Sequence, residues 1–437
     1  MNFVTREGVF QAPSRGKKED EFMQRISRLT ILLLALLLLF CQGCRRQTAA
    51  LPTDNIYHLE TDYQDSYKGV NAVFYFADTP EGTAYNGFGR LYLLSGDTAM
   101  PQLCCFRPEC RHASYADDCP ASLFSLNDNG FQYMNGKFYY IAHTANKAQL
   151  CRMDVTGENH EILREEPGAL LEGGSGLVFH RGFLYIYCVE ELSEQSSALK
   201  LYQLDLENPA SEMKLLWSEN IPGLAGAPSG NITARGHYLF FQNKNNPLYA
   251  DAATTPALLH SLDLQTGNVY DCVLPQGEVP DEFAVVDDRV FVSVLTEAGY
   301  RLTSFSYTFE ERTDFPKRAQ KESFRLCGDP QYLYLWWMEA PLLYILDKNG
   351  QPMDTLDISF FSETDIPIAG IRASMLEDGR VFITASERNW GFHYFEKSEI
   401  GSGQIQLKGL AMVCLGNQYT EPVPMPDDFT WDWDRYY

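Results

Sequence analysis

Between residues 68 and 385 one pattern recurs. A tight turn pair is followed by a short run of aromatic and aliphatic residues with no sustained 3.6-residue period. The copies are Asn135-Gly136 before KFYYIA, Arg181-Gly182 before FLYIYCV, Arg235-Gly236 before HYLFFQ, Asp287-Asp288 before RVFVSVL, Asp329-Pro330 before QYLYLWW and Asp378-Gly379 before RVFITA. The second residues of these pairs lie 46, 54, 52, 42 and 49 positions apart. Lys68-Gly69 before VNAVFYF reads as an earlier, seventh copy. Each copy continues into a second strand, which usually ends in another tight turn such as Asp154-Val-Thr-Gly157 or Asp347-Lys-Asn-Gly350. A short apolar strand then follows, for example HEILRE or MKLLWSE.

Strand, turn, strand, loop, strand, turn, strand at about 50 residues per unit is the sequence signature of a propeller blade. The pattern predicts an all-β fold, a β-propeller of seven blades with four antiparallel strands each. Six or eight blades are the alternatives, because terminal repeats are irregular. A β-sandwich array fits seven evenly spaced hairpin pairs poorly. The propeller is expected over residues 67–415, followed by an acidic and aromatic C-terminal tail, residues 416–437. The Asp-x-x-Gly turns read as hairpins, with Gly supplying positive φ and Asp bonding nearby backbone. A calcium loop would need six or more oxygens, and each turn offers one or two carboxylates.

One segment departs from strand composition. Residues 29–40, LTILLLALLLLF, form an unbroken apolar run of twelve. As a helix it rises about 18 Å, short of the roughly 30 Å hydrocarbon core, so it suits a signal-peptide h-region better than a span. Arg25 and Arg28 precede it, and Cys41-Gln42-Gly43-Cys44 follow. The arrangement resembles a bacterial lipoprotein signal, in which a small residue before the cysteine permits cleavage and the thiol carries diacylglycerol. Gly43 and Cys44 match those positions, whereas Cys41 and Gln42 depart from the usual Leu and small residue. An uncut signal anchor is the alternative. Residues 1–22 are polar, and Met23-Gln-Arg-Ile-Ser-Arg makes a compact basic start, which places the expected natural start at Met23. Residues 1–44 are thus expected to be the signal and residues 45–66 a polar tether.

The charge balance bounds the partners. The formal charge is −23, and because residues 1–44 are net basic, the chain from Cys44 onward is near −25. Such a surface repels nucleic acid, so no nucleic-acid partner is expected, and its plainest role is solubility.

Chemistry concentrates where the repeat spacing stretches to 67 residues, from Gly69 to Gly136. This insertion, residues 104–119, contains Cys104-Cys105-Phe-Arg-Pro108-Glu-Cys110-Arg-His112 and then Cys119-Pro120. Cys105, Cys110, His112 and Cys119 offer three thiols and an imidazole, the donor set of a closed tetrahedral structural zinc site. Outside the cytoplasm a Cys110–Cys119 or Cys105–Cys119 disulfide, or thiols left reduced, are the alternatives. In each case the element reads as structural. Cys151, Cys188, Cys272, Cys327 and Cys414 lie singly in strand runs and read as small core hydrophobes.

Together the signal, the Cys-x2-Pro-x-Cys-x-His…Cys element and the blade repeat resemble a group of exported β-propeller lipoproteins of Gram-positive gut and soil bacteria, over roughly residues 23–415. That resemblance implies fold and location; members of the group are largely without assigned activity.

Signatures of catalysis are missing from the sequence: there is no Gly-x-Ser-x-Gly elbow, His-Glu-x-x-His, phosphate loop or dinucleotide fingerprint. Gly173-Gly174-Ser175-Gly176 reads as an inter-blade loop, and His180, His237 and His260 as packing residues. Trp336, Trp337, Trp390, Trp431 and Trp433 offer stacking surfaces, but neighbours on a strand face opposite ways, so at least one of Trp336 and Trp337 belongs to the core. The tail is expected to pack on the ring. The function expected is a non-enzymatic, lipid-anchored binding module on the extracytoplasmic face of the cell membrane, a monomer with a protein or carbohydrate ligand. The competing expectation is a polysaccharide lyase or glycoside hydrolase with its site at the channel mouth. A third is an envelope sensor whose cysteine element responds to metal or redox state.

Overall fold

The computed structural model describes residues 74–87, 89–95, 100–110, 119–123, 126–144, 147–167, 176–193, 196–222, 230–243, 259–315, 323–337, 342–359, 368–376, 378–385, 391–414 and 420–424. The chain divides into units Met1–Asn55 and Ile56–Tyr437. The first lies wholly outside the described residues, including the signal and Cys44, and so does the tether.

Seven antiparallel meanders make up the second unit. Blade 1 is β1 (Phe74–Thr79), β2 (Gly82–Gly87), β3 (Arg90–Ser95) and β4 (Gln102–Leu103). Blade 2 is β5 (Leu126–Met134), β6 (Lys137–Thr144), β7 (Lys147–Asp154) and β8 (Glu161–Pro167). Blade 3 is β9 (Gly176–His180), β10 (Phe183–Ser193), β11 (Ser196–Asp205) and β12 (Lys214–Pro222). Blade 4 is β13 (Gly230–Arg235), β14 (Tyr238–Asn243), β15 (Leu259–Asp263) and β16 (Val269–Asp271). Blade 5 is β17 (Val279–Val286), β18 (Arg289–Thr296), β19 (Gly299–Phe305) and β20 (Thr313–Asp314). Blade 6 is β21 (Phe324–Gly328), β22 (Tyr332–Trp337), β23 (Leu342–Asp347) and β24 (Pro352–Asp357). Blade 7 is β25 (Ile368–Ala373), β26 (Arg380–Ala385), β27 (Gly391–Glu396) and β28 (Lys408–Cys414), with a fifth strand, β29 (Thr420–Pro424), drawn from the segment read as the tail.

The first hairpins fall on the turn pairs of the sequence repeat. Asn135 and Gly136 both take positive φ, 50° and 78°, as do Arg181 and Gly182 at 48° and 88°. Such primed turns match the twist of the flanking strands. Blade 4 turns one residue later than its pair, at Gly236-His237, and blade 1 departs further. Its first hairpin turns at Pro80-Glu81, closed by register Thr79↔Gly82, so the VNAVFYF run supplies the first strand of the blade rather than the second. The count of seven stands, but the repeat starts one strand later than the Lys68-Gly69 turn implies. That turn lies outside the described residues.

Blades are apolar on both faces because each is covered by a neighbour on either side, which is why the strand runs read as nearly continuous apolar stretches. Seven buried clusters fill the seven seams. Phe179 and Leu177 point toward blade 2 and pack with Tyr139 and Ile141. Val178, between them in sequence, points the other way and packs with Ile232 and Phe241 of blade 4. Equivalent clusters join blades 1 and 2, 4 and 5, 5 and 6, and 6 and 7. The ring closes where Phe76 and Tyr85 of blade 1 meet Phe382 and Phe392 of blade 7, with Phe76 and Phe382 stacked at 4.3 Å.

The ring has two unlike ends. In an antiparallel meander the first and third connections of every blade share one end, and the second and the inter-blade connections share the other. Tight turns at 80–81, 135–136, 181–182, 236–237 and 287–288 crowd the first end. The two longest connections, 104–125 and 244–258, belong to the second, together with two-residue connections at 88–89, 145–146, 194–195 and 297–298, while the first also carries the third connections 206–213 and 397–407.

Candidate metal centre and the ring's charged seams

β4 ends at Leu103, but the chain keeps its register for one more residue: the Cys104 N–H donates to the Leu91 carbonyl at 2.9 Å. The chain then leaves the sheet edge and returns at Cys119. There the Ser122 N–H donates to the Cys119 carbonyl at 2.9 Å around Pro120, whose fixed φ suits that turn position. The Leu91 N–H donates to the Ala121 carbonyl at 2.8 Å, which ties the returning strand to β3. Both ends of the insertion are therefore anchored on the same edge of blade 1, and this brings Cys105, Cys110 and Cys119 together. Their sulfurs all lie within 4.8 Å of one another. Tetrahedral zinc with Zn–S of about 2.3 Å spaces its sulfurs about 3.8 Å apart, so the triangle is of the right size to hold a metal ion.

Two of the three sulfurs receive backbone donors in the same way. The Arg107 N–H donates to Cys105 Sγ, and the Ala121 N–H donates to Cys119 Sγ, each from two residues further along the chain. Cys119 is buried, Cys105 and Cys110 half-buried. Burial pushes the Cys105 thiol up to about 12 despite the Arg107 N–H, which acts the other way. Cys104 faces the core instead, buried at 4%, and burial carries its thiol to about 12.

The insertion leans on blade 2. Gly157, in the second hairpin turn of that blade, has φ +77°, and a Cβ there would stand 2.6 Å from the Cys104 carbonyl oxygen and 2.9 Å from that of Pro120. His160 bridges the same contact. Its Nε2 lies 2.8 Å from the Pro120 carbonyl, which can only accept, so Nε2 carries the hydrogen and Nδ1 faces the Tyr140 hydroxyl at 2.7 Å. Arg107 pairs with Glu158 at 3.3 Å.

His112, the fourth donor expected from the sequence, lies outside the described residues, as do Trp390, Trp431, Trp433 and Gly173 to Ser175. Trp336 and Trp337 are both buried, at 2% and 5%, because each face of β22 meets a neighbouring blade. Cys151 and Cys188 are core residues; Cys272 and Cys327 are half-buried. His180 is buried and donates to the Gly236 carbonyl at 2.8 Å, linking blades 3 and 4. His260 packs on Phe241 and Trp217, with Nδ1 2.7 Å from Asp271. The Asp turns are structural: Asp263 and Asp347 accept the N–H of Gln265 and Asn349 at 2.8 and 2.9 Å.

Buried charges at the seams were not expected from the sequence. Arg372 of blade 7 donates from Nη1 and Nη2 to Asp78 of blade 1 at 3.4 and 3.2 Å, with side chains 2% and 1% exposed. Asp78 also accepts from Thr83 Oγ1 and from the Met375 N–H. Lys397 Nζ lies 3.0 Å from Asp329 Oδ2 between blades 7 and 6, both side chains fully buried, and also donates to the carbonyls of Ser374 and Leu376. Arg380 donates across the closing seam to the carbonyls of Leu94 and Ser95. The inner-strand carboxylates are taken up as well: Glu282 pairs with Arg325, and Asp281 accepts from Ser323 Oγ at 2.6 Å. Of the described inner-strand groups, Asp78 and Glu282 are thus paired with Arg372 and Arg325, while His180 and Arg235 donate to backbone carbonyls.

No family description matches this chain, and no curated protein matches it. Solved structures do. A prolyl endopeptidase superposes with a TM-score of 0.49 at 12% identity, covering 84% of this chain and 55% of its own, so this chain spans about half of that enzyme. BamB from Moraxella catarrhalis gives 0.37 at 12% identity, covering 72% and 96%. KlAtg21, solved in complex with the coiled-coil of AgAtg16, gives 0.48 at 9% identity, covering 77% and 98%. Likeness at this level concerns the fold alone.

Proposed function

We propose that this protein is a lipid-anchored extracytoplasmic propeller that binds a cell-surface ligand or a protein partner and performs no chemistry on it. The observation that carries this reading is the inequality of the ring's two ends. The two longest connections, 104–125 and 244–258, fall at the same end, and loops held on a rigid scaffold are where recognition is placed. A hydrolytic or lyase reading needs acid and base groups converging with room to act. Here Asp78, Asp281, Glu282 and Asp329 are engaged by Arg372, Ser323, Arg325 and Lys397. The anchor rests on the Gly43-Cys44 signal, and the cysteine element serves as a brace.

Photo-crosslinking residues placed on intact cells at 244–258 and, for comparison, at Arg181 and Asp288 test the binding surface. Adducts from the first set with none from the second are expected; the reverse, or turnover of a cell-wall polysaccharide by the purified chain, overturns the reading. For the anchor, a clickable fatty acid should label the wild-type chain and not Cys44→Ser. An unlabelled wild-type chain removes the lipid from the proposal and leaves the binding surface to stand alone.

A further inference from the structure

We infer that Cys105, Cys110 and Cys119 are thiolate ligands of one zinc ion that fastens the insertion of blade 1 onto the rim of blade 2. This inference is independent of the binding reading above.

Three features of the structure lead to it. The first is the triangle itself, with every sulfur within 4.8 Å of the other two. A disulfide needs two sulfurs at about 2.05 Å and gains nothing from a third held beside them. A thiophilic ion needs all three. The second is the pair of matched N–H donors, Arg107 to Cys105 and Ala121 to Cys119. Backbone N–H groups aimed at sulfur stabilise a thiolate, and such donors behind a ligand orient it and offset the charge it brings to the metal. The two cysteines share one local motif although they lie on separate passes of the chain, the outgoing and the returning one.

The third feature is what surrounds the triangle. The carbonyls of Cys104 and Pro120, each next to a ligand, press on Gly157 of blade 2, and His160 donates to the second of them. Arg107, whose N–H serves Cys105, uses its side chain to reach Glu158. The groups that position the sulfurs are thus the groups that touch blade 2, so filling the site and seating the insertion are one event. Three thiolates carry three negative charges into a half-buried site, and a divalent cation is the partner that makes this tolerable. Three sulfur donors gathered this closely select zinc over the oxygen-loving ions.

The full chain, purified with its own metal, should contain about one zinc per chain. Cys110→Ser should lose it, and Cys272→Ser, altered outside the triangle, should keep it. A chelator should remove the zinc, expose three further thiols to alkylation and lower the melting temperature by several degrees. Should Cys110→Ser not fold, cobalt exchange into the wild-type chain decides in its place, since thiolate-bound cobalt shows intense sulfur-to-metal charge-transfer absorption. A chain 2 Da lighter with a peptide cross-linked through Cys119, metal-free thiols, or stoichiometric copper or iron in place of zinc each overturns the assignment. Zinc that leaves without any change in melting overturns the fastening role.

Discussion

Blade 1 meets its two neighbours in different ways. Against blade 7 it closes the ring, and among the described residues all five strands of blade 7 are consecutive in sequence, none being drawn from the chain's other end. The seam is held by stacked aromatics, by the buried Asp78–Arg372 pair and by Arg380 reaching two carbonyls of blade 1. Against blade 2 it is held by ordinary apolar packing plus a local addition, the cysteine element resting on Gly157 and His160. Closing a ring joins residues almost 300 positions apart, Asp78 and Arg372 being separated by 294. Directional charge–charge contacts at that seam fix one register where packing alone tolerates sliding. Blades 1 and 2 are already tethered by their connection, and there an ornament on that connection suffices, although the consecutive blades 6 and 7 carry a buried pair of their own, Lys397 and Asp329.

The contrast can be broken most severely at the closing seam. Arg372→Met leaves Asp78 buried and unpaired and should cost about 3–5 kcal/mol in denaturant unfolding, whereas Asp78→Leu combined with Arg372→Met should recover most of it. A single-variant loss under about 1 kcal/mol would show that the pair does not clasp the ring. Next is the other seam. Gly157→Ala combines a positive φ with a Cβ driven into two carbonyls, so a cost of about 2–4 kcal/mol is expected. Gly136→Ala has φ +78° but open space, and should cost only about 1–2 kcal/mol. Equal costs for the two would remove the claim that the insertion presses on blade 2.

A third expectation concerns pH. Burial holds His393 of blade 7 down to about 4 from its ordinary 6.5. The unfolded chain therefore binds the proton first, and stability that is complete above about pH 6.5 is lost as pH falls toward 4, by up to roughly 3 kcal/mol. Melting curves across that window should show the slope, and His393→Leu should flatten it; an unchanged slope assigns the loss to other groups. The smallest effect belongs to Arg107→Ala. Its half-exposed pair with Glu158 should contribute no more than about 1 kcal/mol to unfolding, and a much larger loss would mean the side chain carries the seam.

Much of the architecture is legible along the chain because blades are local objects. From blade 2 to blade 7 the first hairpins lie on or within one residue of a turn pair read from spacing, blade 4 turning at Gly236-His237 rather than Arg235-Gly236, since tight turns need particular residues at adjacent positions. The hairpin displaced furthest, in blade 1, is where Thr79-Pro-Glu-Gly82 lacks the Asn-Gly or Asp-Gly form and an earlier Lys-Gly pair imitates it. The cysteine triangle was likewise visible, because its members fall within fifteen positions and their chemistry is conspicuous. Gly157 and His160 were not, for they are 38 or more residues beyond Cys119 and unremarkable in type.

The sequence by itself determined which segments are strands, that they repeat as propeller blades, that the surface is acidic, and which cysteines lie close together along the chain. All of these are set by neighbours in the chain or by composition. Only the tertiary structure decided that both Trp336 and Trp337 are core, that Asp78 meets Arg372 and Asp329 meets Lys397, and that the insertion rests on blade 2. Those outcomes depend on which blade faces come together once the ring closes, and burial, which makes an unpaired charge costly, exists only after that closure.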